Sequence, residues 1–76
     1  MVVEVSYQTK KDAADPHAKV LRTEYFESAA MPDRDTVVKK LTQMGKDFAE
    51  QTVSIFEYDE KDAESMRRSG LHVTKI

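Results

Sequence analysis

Cysteine and tryptophan are absent from this chain, and glycine and proline occur only twice each. Without cysteine there is neither a disulfide framework nor a thiolate zinc site. With Gly45 and Gly70 alone, no glycine-rich phosphate loop can be built. No apolar run approaches the ~18 residues of a membrane-spanning helix, so no membrane association is expected. The opening Met1-Val2-Val3-Glu4-Val5-Ser6 lacks the basic region and continuous apolar stretch of a secretory leader, and a cytoplasmic protein is expected. A strong charge of either sign is missing too. There are 12 basic and 14 acidic residues, a formal charge of −2. That is neither the basic footprint of a typical nucleic-acid binder nor the acidity of a DNA mimic.

What is present reads as one compact α+β domain over residues 1–76. Its central feature is the stretch Asp33 to Phe48. At ~100° per residue, Val37, Leu41, Met44 and Phe48 fall within an arc of about 60°, with Lys39, Gln43, Lys46 and Glu50 opposite. Pro32 disfavours helix at Met31, Asp33 can cap the first turn, and Asp35 suits the positive end of the helix dipole. Gly45 is the one irregularity. An interior glycine costs only ~1 kcal/mol relative to alanine, so the helix is expected to continue to about Phe48 or Ala49; the alternative ends it at Met44.

Strand signals flank this helix. Val3, Val5 and Tyr7 alternate with Glu4, Ser6 and Gln8, the period of a strand with one buried face. Residues 10–18 break all periodicity and read as a long loop. A second strand is expected over Lys19–Glu27, with Leu21, Thr23 and Tyr25 inward and Val20 and Phe26 outward, or with a bulge that shifts the phase. Thr52–Tyr58 reads as a third strand, apolar on both faces. From Asp59 to Arg68, acids come first and arginines last, with Gly70 following, the charge order of a short helix. Leu71, Val73 and Ile76 suggest a short final strand.

The predicted fold is β-β-α-β-(short α)-β: a three- to four-stranded, mainly antiparallel sheet with one main helix packed on one face. Connection rules give strand order 2-1-3, with the fourth strand at the edge beside the third. The other sheet face has no evident cover. Val20, Phe26, Phe56 and Tyr58 are candidates to lie there as an apolar contact surface.

No residue is assigned a catalytic, cofactor-binding or metal role. His17 and His72 are far apart in the chain, and a metal site needs several ligands. Asp33 and Asp35 are explained by capping. Asp59, Glu60, Asp62 and Glu64 lack the spacing and central glycine of an EF-hand loop. The serines carry no nucleophile motif, and a domain this small seldom encloses a pocket of the ~300 Å³ a small ligand needs. The remaining candidate is a partner-binding surface made by Phe56, Glu57, Tyr58, Asp59, Glu60, Asp62 and Glu64. The expected function is that of a small non-enzymatic protein-interaction domain: a stoichiometric regulator or inhibitor, or an accessory subunit. A homodimer would use the same surface. Phe56 is expected to contribute to stability as well, so truncating it risks unfolding. The alternative is a nucleic-acid-binding module using Lys10-Lys11, Lys39-Lys40 and Arg67-Arg68 with Tyr25, Phe26, Phe56 and Tyr58. In length and strand-strand-helix-strand order the chain resembles small phage-encoded inhibitors of host enzymes; the resemblance carries no residue roles.

Overall fold

The computed structural model describes residues 1–76. The elements are β1 (Val2–Tyr7), α1 (Lys10–Ala13), β2 (Arg22–Glu27), α2 (Arg34–Gln43), a single 3-10 turn (Glu50–Thr52), β3 (Ser54–Tyr58), α3 (Glu60–Arg68) and β4 (Thr74–Lys75). The four strands form one mixed sheet in the order β3-β1-β2-β4. This is the expected α+β class with the expected 2-1-3 core.

Strand β1 is central and pairs antiparallel with both β2 and β3. Its alternation dictates the two faces. Val3, Val5 and Tyr7 point to the face that α2 covers, where Phe26, Val37, Leu41 and Val53 join them in the main core. Met1, Met44, Phe48 and Ile55 pack around that cluster. The register runs without interruption from Val2↔Glu27 to Tyr7↔Arg22 and from Val2↔Tyr58 to Ser6↔Ser54. No bulge shifts either pairing.

That register overturns the expected phase of β2. Phe26 lies opposite Val3 and is fully buried in the main core. Tyr25 therefore points to the other face, the reverse of the sequence reading. The cause is the strand's start. Lys19 to Leu21 lie outside β2, so the adjacent apolar pair Val20-Leu21 carries no information on strand phase, and both are exposed.

The end of α2 also differs from expectation. The helix stops at Gln43, with Met44 as its cap and Gly45 left-handed at φ +71°. The amide of Lys46 donates to Leu41 O at 3.1 Å and that of Gly45 to Thr42 O at 3.0 Å. This pair of bonds is the Schellman motif, which satisfies carbonyls the helix end would otherwise leave free. Phe48 thus belongs to the following loop. It still reaches the core, edge-on to Tyr7 with ring centroids 6.3 Å apart. The 10–18 segment is not all loop either, since α1 forms there with Thr9 as its cap. The third strand begins at Ser54 rather than Thr52, because Glu50–Thr52 curl into the 3-10 turn.

The fourth strand takes the opposite edge from the one expected. It pairs parallel with β2, Phe26↔Thr74 and Glu27↔Lys75, and not with β3. Helix length explains this. The nine residues of α3 span about 13.5 Å at ~1.5 Å per residue. Three strand spacings at ~4.8 Å come to about 14 Å. The helix therefore carries the chain from β3 past β1 and β2 to the far edge. It crosses on the face opposite α2: Arg67 pairs at 3.4 Å with Glu27, which alternation places on that face. Val2 and Ala63 are buried apart from the main core. The second face thus has a partial cover that the sequence did not reveal.

Candidate interaction edge

Strand β3 holds the centre of the predicted surface. It bonds to β1 on one side and to nothing on the other, so its outer edge is open along Ser54–Tyr58. Two contacts fix the chain just before it. Arg34 at the start of α2 donates Nη1 to Val53 O at 2.7 Å and Nη2 to Glu50 O. Thr52 Oγ1 accepts from the Gln8 amide at 2.9 Å and donates to Ala49 O at 2.6 Å. The strand is thus held at its entrance by a fork from α2 and a hydroxyl clasp to the end of β1.

The predicted residues are brought to this edge but divided between faces. Phe56 and Tyr58 point to the second face, whereas Glu57 follows Ile55 on the α2 side, opposite Val3. Phe56 is 56% exposed. Its exposure overturns the expectation that truncating it risks unfolding. Tyr58 is half-buried against Tyr25, edge-to-face with centroids 5.7 Å apart. Partial burial, then the charge of Glu4 and the neighbouring Tyr58, push the Tyr25 phenol above its usual range. Phe26, also expected on this face, is in the main core instead.

The acidic residues continue the edge into α3. Asp59 caps the helix, its Oδ1 accepting from the Lys61 amide at 2.8 Å. Glu60 and Asp62 occupy the first turn, fully compatible with the helix dipole. Glu64 is engaged one turn on with Arg68 at 2.9 Å. Glu57, Glu60 and Asp62 are exposed and make no ion pair. From Glu50 to Glu60 there are four acids, Glu50, Glu57, Asp59 and Glu60, and no basic residue.

Two features escaped the sequence reading. One is a polar cluster on the α2 face: Tyr7 donates to Glu24 Oε2 at 2.8 Å, and Lys46 Nζ lies 3.6 Å from the same oxygen. Burial, then that bond, push the Tyr7 phenol well above its usual value. The other is an open groove of ≈ 630 Å³ between α1, α2 and residues 46–51, with Ala13, Val38 and Phe48 in its walls. Neither had a sequence signal, because the first depends on the β1–β2 register that sets Glu24 near Tyr7 and the second on where residues 46–51 settle after Gly45.

The basic pairs are dispersed over α1, α2 and α3. Arg67 and Arg68 are both in ion pairs. His17 lies in the turn after α1, where its amide donates to Asp15 Oδ1 at 2.9 Å. No helix is long and apolar enough to cross a membrane. Comparison with protein-family models, with curated proteins and with solved structures finds no match to this chain.

Proposed function

We propose that this is a non-enzymatic protein-interaction domain that adds a partner's strand to the outer edge of β3. In that role it acts as a stoichiometric regulator or inhibitor, or as an accessory subunit, of the partner. The observation that carries the reading is the edge itself. An exposed strand edge is a template for pairing, and proteins that do not use it blunt it with proline, lysine, bulges or a covering element. Strand β3 carries no proline, lysine, bulge or covering element, and its one charged residue is Glu57, on the α2 side. Because the candidate residues straddle both faces, they share a strand edge rather than one flat patch. An added strand reads both faces at once by alternation.

Charge selects the kind of partner. Glu57, Asp59 and Glu60 favour an extended segment with alternating apolar and basic residues, and Phe56 offers an apolar seat on the second face. The nucleic-acid alternative is less well supported, since Phe26 is in the core and both arginines of the Arg67-Arg68 pair are engaged. The test is hydrogen exchange read residue by residue, with and without a basic, alternating strand-forming peptide. Added protection over Ser54–Tyr58, lost in a Glu57→Lys/Glu60→Lys variant, is the expected result. Binding that protects the α2 groove and leaves β3 unchanged would refute the reading.

A further inference from the structure

The second face of the sheet carries one charge that nothing in the chain answers. Glu4 lies in the middle of the central strand β1, and its register partners are Tyr25 on β2 and Phe56 on β3. Tyr58 stands two residues on from Phe56, its ring edge-to-face with that of Tyr25. Three aromatic residues therefore border one carboxylate. Glu4 is half-buried, and its carboxylate makes no ion pair and accepts no hydrogen bond. The chain buries no polar side-chain atom without a partner, so this carboxylate is open to solvent. On one side of it the face continues with Ser6, Thr23 and Ser54, none of them charged. On the other side α3 brings basic residues, but Arg67 pairs with Glu27, Arg68 with Glu64, and Lys61 with no acid.

We propose that Glu4, Tyr25 and Phe56 form a site for an arginine side chain of the partner's strand. The inference rests on the β3 edge being a strand-pairing surface, and it names a residue that the partner carries there. An aromatic ring attracts a cation within about 6 Å of its centroid. Neighbouring strands lie about 4.8 Å apart, so a cation held above Glu4 has an aromatic residue at that spacing on each side. The ion pair with Glu4 and the attraction of the rings then act on the same group. Reach fits as well. A strand added to β3 lies two spacings from β1, about 9.6 Å, which the combined lengths of an arginine and a glutamate side chain span. The apolar stem of the arginine rests on the exposed Phe56. Its planar head meets the Glu4 carboxylate through two N–H groups and stacks against the rings. Lysine offers neither the fork nor the plane. Glu57 lies on the opposite face, so the partner's strand meets one carboxylate on each side of the sheet.

The test compares two basic, alternating strand-forming peptides that differ only at the position facing Phe56. One carries arginine there and the other its neutral isostere citrulline. Each is titrated into the wild-type chain and into Glu4→Gln, which keeps the size of the side chain. The arginine peptide should bind wild type about fivefold to tenfold more tightly than the citrulline peptide, and Glu4→Gln should abolish that preference. Glu60→Gln removes one negative charge at the same edge and should weaken both peptides alike. Hydrogen exchange over Ser54–Tyr58 is read in every titration. Protection of β3 with equal affinity for the two peptides overturns the arginine site and leaves the edge reading standing, as does a preference that survives Glu4→Gln. Protection by neither peptide overturns the edge reading, and the arginine site with it.

Discussion

Replacing Gly45 by alanine tests how α2 ends. Gly45 sits at φ +71°, and a Cβ added there meets nothing within 4 Å. Any cost is therefore conformational and not steric crowding by neighbours. An L-residue in the left-handed region costs roughly 1–2 kcal/mol. The stiffer unfolded chain of the alanine variant offsets about 0.4–1 kcal/mol of that. The net is a destabilisation of about 1 kcal/mol, which lowers the melting temperature of a domain this small by about 4–8 °C. Gly45→Asn should fall between the two, since asparagine tolerates the left-handed region better than alanine. Thermal and urea melts followed by far-UV circular dichroism give both numbers. The opposite outcome is equally specific. If the alanine variant is more stable and more helical than wild type, the helix runs on through residue 45 towards Phe48. The Schellman termination would then be wrong.

Four further outcomes follow from the packing. Phe26→Ala removes a fully buried core ring and should cost about 3–5 kcal/mol; in urea it should be largely unfolded, whereas Phe56→Ala should melt within about 0.5 kcal/mol of wild type. Arg34→Ala should cost about 1 kcal/mol by freeing the carbonyls of Glu50 and Val53, and Arg34→Lys should not rescue it, because lysine lacks the two-pronged fork; urea midpoints decide. Stability should fall as pH rises past about 10, because the unfolded chain releases its tyrosine protons there while folded Tyr7 and Tyr25, both shifted upward, retain theirs. Urea melts across that range should show a shallower fall in Tyr7→Phe, with the part due to Tyr25 remaining.

Much of the fold was legible because it is local. Strand β1 announced its buried face by strict alternation, α2 announced its start through its cap Asp33, and α3 announced itself through acids placed first and arginines last. The errors share a cause: each depended on a partner distant in sequence. Val20 and Leu21 looked like strand residues until the register placed the start of β2 at Arg22. Phe48 kept helical phase with Leu41, yet Gly45 breaks the helix and Tyr7 holds the ring from β1. Strand β4 is two residues long, too short for any periodicity, and only the reach of α3 fixes where it lands. The acidic stretch was visible as composition. That it continues an unpaired edge required the strand order.

Helix α3 has one more consequence. It spans the full width of the sheet, yet its attachment is slight: Ala63 is its one buried residue, and its cross-chain ion pair, Arg67 with Glu27, is solvent-exposed. The core residues all lie before it in the chain. The molecule is therefore graded in local stability, a firm unit through Tyr58 with a loosely strapped tail. Detaching α3 and β4 together costs little of the core. It frees Phe26 and Glu27, the two residues of β2 that β4 pairs, and leaves the whole outer side of that strand without a partner strand. The tail thus acts as a length limiter on one end of the sheet. Amides of Glu60–Arg68 should be among the first in the structured chain to exchange.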